Sequence, residues 1–485
     1  MKRNLLIIPA LMVTAFFAAT EIAKAADISF SGQLLTRYEI NEHGLNASNN
    51  FDDASEAADF TVSRVRLNTH AAINDTTSAF IQMSRNATWG SNAINDQNTG
   101  NAARGGSNGS FEVSDNDANM GVHQAYVNIK NFYGSSLDLK LGRQQIVLDG
   151  HRLFGNTVWT VGQQTHDALR LDHKHDNMSF SYAWIVNTEG GTPNNAETNA
   201  TQTDALKEIE THMAYFKYAG ILGGNLSVTY AGIIDPCGTG NTACVTENTD
   251  NDMHTIGFRQ AGQLYGIDYR GEYYYQWGDA DQDASTLANG NTTAGTGTER
   301  DAYMYGIRVG KTFKNVNMKP SLTLWYDYLS GTTDADLTGS DQKWRSFNPV
   351  FDTGHKFYGL QDLYLGIGSG AENSGTAALG LQDIAIKTKM SPMPGWTFKA
   401  DYHWFYTAES AKSQRNRGLN GDGSVGSDLG NELDLSLTNK YNANTTITAG
   451  FSNYTTTATF RDLRNVVGDG SNWAYLMFDR SEERR

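Results

Sequence analysis

The sequence predicts an all-β chain, a transmembrane antiparallel β-barrel of eighteen strands with long extracellular loops and short periplasmic turns. Three observations predict it. In LYGIDYRGEYYYQW, residues 264–277, Ile267, Tyr269, Tyr273, Tyr275 and Trp277 share one face and Asp268, Arg270, Glu272, Tyr274 and Gln276 the other. That period of two is a strand, and its length suits a tilted crossing of a bilayer. The same pattern recurs along the chain, and its connections alternate between tight turns and long polar loops. Finally, mean hydropathy is −0.49 and no mature apolar run approaches the length of a spanning helix, which excludes a helical bundle but not a barrel, whose strands need apolar residues only at alternate positions.

Residues 1–25 read as a secretory signal: Lys2 and Arg3, an apolar core over 5–17, and Ala23-Lys24-Ala25 at the cleavage site. The core is too short for an anchor helix. Residues 26–485 are then the barrel. The first strand, 28–40, sets Phe30, Leu34 and Tyr38 against Arg37 and Glu39. In 59–73, Val65, Leu67 and Ala71 oppose Arg64, Arg66 and His70, and a short turn leads to 78–89. After a Gly/Asn/Ser-rich segment come 120–130 and 136–147, the latter with Leu137, Leu139 and Leu141 toward lipid and Asp138 and Lys140 inward. Tightly joined pairs follow at 165–173 with 178–187, 210–218 with 224–233, 252–260 with 264–277 across 261–263, and 301–311 with 316–330 across 312–315. The loop 331–380 is the longest connection. Beyond it lie 381–390 with 395–409, 429–440 with 445–453, and 471–480. Strands 178–187 and 471–480 alternate weakly, and the faces of the last cannot be assigned. The even count puts both termini on the periplasmic side, and eighteen strands enclose a lumen wide enough for water. A soluble all-β repeat protein is the alternative, disfavoured by the turn asymmetry.

The inward positions carry both signs, with Arg37, Arg64, Arg66, Lys140, Arg170, Arg259, Arg270 and Arg308 among the bases and Glu39, Asp138, Asp172, Asp268, Glu272, Asp327, Glu432 and Asp434 among the acids. Charge is expensive against lipid, which supports the facing. Some of these pairs hold strands in register, and the rest set up a transverse field that attracts anions. The formal net charge of −15 therefore resides mostly in the loops, in runs such as 115–117 and 279–283.

The stretch LGRQQIVLDGHRLFGNTVWTVGQQTHDALRL, residues 141–171, resembles the signature of the AlgE-like alginate-export family of outer-membrane barrels, through Gly142-Arg143-Gln144, Asp149, Arg152, Trp159, Asp167 and Arg170. FNPVFDTGHKFYGLQD and LGNELDLSLTNKY extend the resemblance over most of the mature chain. It implies an eighteen-stranded monomeric channel in a bacterial outer membrane, a porin for diffusion or export of small or polymeric hydrophilic solutes. It also implies a lumen whose arginines attract an anionic solute, with Arg143 and Arg152 first and Arg64, Arg66 and Arg170 next. The near balance of inward acids and bases departs from what export of a polyuronate leads one to expect. Arg270, Asp268 and Glu272 complete the charged wall, and His355, Lys356 and Asp362 belong to the aromatic half of 331–380, expected to constrict or cover the pore.

Cys237 and Cys244, in DPCGTGNTAC, are expected to close a disulfide within one loop. No cofactor is expected. Acidic outer loops offer Ca2+ or lipopolysaccharide-bridging ligands, but none has the spacing of a calcium loop, and no metal site is assigned. Expected partners are outer-membrane lipid, lipopolysaccharide and a hydrophilic solute, with no nucleic acid and with a periplasmic partner left open. An outer-membrane enzyme would need an assembled nucleophile and base, which the sequence does not offer. A scaffold, adhesin or sheath for a partner protein is the remaining alternative.

Overall fold

The computed structural model describes residues 27–42, 58–89, 120–188, 209–235, 251–280, 297–337, 340–367, 375–412, 424–464 and 466–482. Its strands are β1 (Asp27–Asn41), β2 (Ala58–Ala72), β3 (Thr77–Thr88), β4 (Gly121–Ile129), β5 (Leu137–Gln144), β6 (His166–His175), β7 (Met178–Thr188), β8 (Ile209–Ile221), β9 (Gly224–Ile234), β10 (Met253–Leu264), β11 (Ile267–Asp279), β12 (Glu299–Thr312) and β13 (Ser321–Leu329). They continue with β14 (Lys343–Trp344), β15 (Leu381–Met390), β16 (Trp396–Lys412), β17 (Ser424–Lys440), β18 (Thr445–Thr456) and β19 (Gly470–Ser481). Each long strand pairs antiparallel with the next, and β19 returns to β1, Leu35 opposite Asp479. The two-residue β14 only touches the rim, parallel to β12. The wall is thus a closed eighteen-stranded barrel, and closure leaves no unpaired edge.

Side-chain alternation follows the sequence pattern. Leu34, Leu67, Ile307 and Leu324 stand exposed on the outside, while Gln33, Arg37, Arg64, Arg66, Glu272 and Asp327 are buried within. Apolar outside and polar inside is the inversion that a lipid solvent requires. The structure also settles the two weak strands. In β7, Ser181, Ala183 and Ile185 are buried and Trp184 exposed; in β19, Trp473 is buried and Leu476 and Phe478 are exposed.

Several boundaries move. The β10–β11 turn is Tyr265-Gly266, not 261–263: both residues take positive φ, 51° and 75°, as the tight hairpin that matches strand twist requires. β13 begins at Ser321 rather than 316, because Met318 and Lys319 are left-handed and Pro320 has no N–H for a ladder. β16 and β17 run past their expected ends at 409 and 429, with register shifts near Tyr406 and Ala411. Between β18 and β19, where only a loop is expected, lies a short helix α1 (Ala458–Arg464), with Phe460, Leu463 and Arg464 buried.

The main buried apolar cluster lies inside the barrel, where inward wall residues such as Ile185, Met213, Met304 and Phe405 meet side chains from the connections. It gathers Ile146, Leu148, Leu153 and Phe154 from the β5–β6 connection, Phe347, Phe357, Tyr358 and Tyr364 from the β13–β15 connection, and Phe460 and Leu463 from α1. Three connections therefore fold into the lumen, where their apolar side chains find one another.

Candidate functional site

The β5–β6 connection crosses the lumen. At its tip the Asp149 carboxylate accepts hydrogen bonds from Tyr215 Oη at 2.8 Å and Ser227 Oγ at 2.5 Å, and Arg259 lies 3.5 Å away. Three residues on, Arg152 is sealed from solvent between Glu272, at 3.2 Å, and Asp327. Arg308 closes the cluster, 3.2 Å from Asp327 and 3.5 Å from Glu272, with its guanidinium over Trp325. The returning arm is held by the other wall. Arg37 donates to the Trp159 carbonyl at 2.8 Å and lies on the indole, Arg64 donates to the Thr160 carbonyl at 3.3 Å, and Arg66 to Gln163 Oε1 at 2.6 Å.

The β13–β15 connection, 331–380, rests on that bar. Phe154 and Phe351 form a β-bridge, the Gly155 N–H donates to the Phe351 carbonyl at 2.7 Å, and Arg152 donates to Tyr358 Oη at 2.6 Å. Its far side is fixed by one carboxylate: Glu432 Oε1 accepts the backbone N–H groups of Leu360 at 2.7 Å and Gln361 at 2.9 Å. Gly359 makes this approach practicable. It takes φ +85°, and a Cβ there would fall 2.4 Å from the Glu432 carboxylate. Arg464 of α1 donates to the Leu363 and Gly375 carbonyls, the latter at 2.7 Å, and so backs the segment.

Among the spaces beside this knot, two are lined by described residues. A chamber of about 700 Å³ lies at mid-height along β1, β2 and β19, lined by Gln33, Arg64, Arg66, His151, Trp159 and His355 among others. The His355 ring stacks on Trp159 with centroids 4.3 Å apart and meets Asp362 at 2.8 Å through Nδ1, which fixes its orientation. A second space of about 290 Å³ lies at the long-loop ends of β7 to β10 and β12. His151 and Asp352 are among the groups of the knot whose titrations are displaced. Burial lowers His151 to about 4, helped by the charge of Lys356, so the ring is neutral at pH 7. Burial raises Asp352 to about 8, and its Oδ2 has no hydrogen-bond partner.

The residues singled out in the sequence separate in space. Arg64, Arg66 and His355 meet at the larger chamber. Arg152 and Glu272 meet in the buried cluster, with Arg270 alongside, 5.3 Å over the Trp325 ring. Lys356 is exposed beside His355. Arg143 does not join them: it shares the face of exposed Leu141 and pairs with Asp167 at 2.6 Å, both half-exposed. Asp268 sits near the short-turn end with Gln263, and Arg170 pairs with Asp172 at 2.8 Å on the wall. Cys237 and Cys244, and acidic runs 115–117 and 281–283, lie outside the described residues. Asp149, Arg37, Tyr215 and Ser227, which anchor the crossing bar, are not singled out as site residues by sequence reasoning.

A family model described as alginate export matches residues 27–472. Among solved structures the chain resembles OccAB1 of Acinetobacter baumannii, with 14% identity, TM-score 0.54, and coverage of 94% of this chain and 96% of that one. It also resembles OccK8 (OprE) of Pseudomonas aeruginosa, with 12% identity, TM-score 0.53, and coverage of 94% and 98%. At such identities the likeness is one of fold. No curated protein matches the chain.

Proposed function

This chain belongs to the alginate export family, and from that premise we propose that it passes small anionic hydrophilic solutes through a lumen narrowed by its own inward-folded connections. It is an outer-membrane β-barrel channel of the porin type. The observation that carries the solute class is the mid-height chamber of about 700 Å³, into which Arg64 and Arg66 bring two guanidinium groups against the one carboxylate of Asp479. Gln33, Gln145, Asn156 and Gln163 add amides, which hydrogen-bond a hydrated solute whatever its orientation. Guanidinium groups recognise carboxylates in two-pronged fashion, so a carboxylate-bearing solute is the natural occupant. The 331–380 segment, latched between Arg152 and Glu432, sets the width of the passage. One wall encloses the whole passage, which supports a monomer as the working unit.

Planar-bilayer recordings in a KCl gradient test the proposal. The wild-type chain should prefer chloride, Arg66→Gln should reduce that preference, and Arg66→Lys should retain most of it. A wild-type channel that prefers potassium, or a preference indifferent to Arg66→Gln, overturns the solute class. Absence of any conductance from folded protein would favour a scaffold or sheath.

A further inference from the structure

The smaller cavity has a composition unlike that of the larger. One half is aliphatic, from Ile209, Ile233, Met253 and Val350. The other half is polar, with Arg300, the Asp235 carboxylate and the amides of Asn187, Asn251 and Asn348. Asn348, Val350 and Phe351 come from the β13–β15 connection, while the other wall residues lie at or just beyond the long-loop ends of β7, β8, β9, β10 and β12, so the cavity is on the external side of the Phe154–Phe351 bridge. The larger chamber lies on the other side of that partition.

We propose that this outer cavity is a solute-capture subsite for a compact organic carboxylate with an apolar body. The deduction rests on the channel reading above but not on the sign of the larger chamber. Its volume of about 290 Å³ holds one molecule of five to ten heavy atoms rather than a polymer segment. Its polar half is arranged around a buried guanidinium. Arg300 is 3% exposed and donates to Asn251 Oδ1 and to the Asp279 carbonyl, each at 3.4 Å. Those long contacts hold the guanidinium plane while its charge borders the cavity. A carboxylate placed on the Arg300 side of the cavity gains a charge-assisted hydrogen bond from a guanidinium that is itself buried. The Asn348 backbone is clamped to Gln276 by hydrogen bonds of 2.9 and 2.8 Å, so its side-chain amide is presented from a fixed position. The aliphatic half then takes the rest of the molecule, and burying a branched chain there adds affinity that a fully hydroxylated anion cannot gain. The outer cavity thus selects on apolar shape and charge together, before the larger chamber selects on charge.

The probe is 3-methylbutanoate, with glycerate as the hydroxylated anion of equal charge and similar size. In bilayers holding channels of one orientation, 3-methylbutanoate added on the loop side should interrupt the current at concentrations where glycerate does not. Arg300→Gln should weaken that block by about tenfold or more, the scale of a lost charged hydrogen bond. Val350→Trp fills the aliphatic half and should abolish the block even if Arg300→Gln fails to fold. Equal block from both sides, equal block by glycerate, or conducting channels that 3-methylbutanoate leaves untouched overturn the subsite while the channel reading stands. If no channel conducts, the channel reading falls. Saturation transfer from detergent-solubilised protein to 3-methylbutanoate, lost in Val350→Trp, then decides the subsite separately, and no transfer overturns it.

Discussion

Replacing Arg152 by leucine should open the passage without opening the barrel. Arg152 belongs to no wall strand, so its loss leaves every strand pairing intact. What it holds is the contact between the crossing bar, the wall carboxylates Glu272 and Asp327, and Tyr358 of the segment above. Removing one member of a buried ion cluster costs about 3–5 kcal/mol, because the partners stay buried without their counter-charge. Here Arg308 remains 3.2 Å from Asp327 and Arg259 remains 3.8 Å from Glu272, so the lower end applies, about 3 kcal/mol. Charged to the docking equilibrium of the bar, that is roughly a 150-fold rise in the undocked population. Single-channel recordings should show longer visits to a higher conductance level. Deletion of 352–363 across a short Gly/Ser bridge supplies the level expected for an open passage. Anomalous migration of unheated protein on a denaturing gel reports that the barrel has formed. Folded Arg152→Leu channels with wild-type conductance and noise, together with a deletion variant that also conducts like wild type, would refute the reasoning.

Three further expectations concern the same segment and one loop. Asp352 retains its proton in the docked segment up to about pH 8, whereas freed it ionises near the ordinary carboxylate value. Docking therefore weakens as pH rises from about 4 to about 8, and mean conductance should climb between pH 6.5 and 8, a response absent in Asp352→Asn. His151, lowered to about 4, acts in the opposite sense below pH 6.5, so acidification there should give a flatter profile in wild type than in His151→Gln; a wild-type response as steep as that of His151→Gln argues against the His151 assignment. Gly359→Ala, with a Cβ 2.4 Å from the Glu432 carboxylate and a φ of +85°, should lift the segment and raise conductance while gel mobility stays normal; unchanged current would contradict the latch. Cys237 and Cys244 should resist thiol labelling in unreduced, denatured protein, and two labelled thiols would end the disulfide proposal.

The wall was legible because its information is local. A strand in lipid must alternate, so neighbours in sequence such as Arg64, Val65 and Arg66 report their own facing. The order of tight turns and long loops reported the pairing of strands. The errors lie where alternation is blind to backbone conformation: Tyr265-Gly266 reads as part of a strand until its two positive φ angles are seen, and Pro320 resets the start of β13. Helix α1 is too short to show a helical period and is defined by what Phe460 and Leu463 pack against.

The lumen was legible only in part, because its contacts are remote in sequence. Arg152 meets Glu272 and Asp327 across separations of 120 and 175 residues, and no local pattern in the β5–β6 connection announces them. One signal was nevertheless present. The aromatic half of 331–380 was expected to pack on the barrel's inner rim because solvent rarely receives so many apolar side chains together. Ile146, Leu148, Leu153 and Phe154 satisfy the same argument in a connection that an outer loop would expose, and each is buried. The two apolar connections bury their side chains against each other and against inward apolar wall residues such as Met213, Met304 and Phe405. Seen that way, the ion cluster follows from the apolar knot: once Leu153 and Phe154 are drawn inward, Arg152 has to enter with them. A guanidinium carried into the barrel requires carboxylates within reach, and the inward alternation of β11 and β13 has Glu272 and Asp327 waiting there.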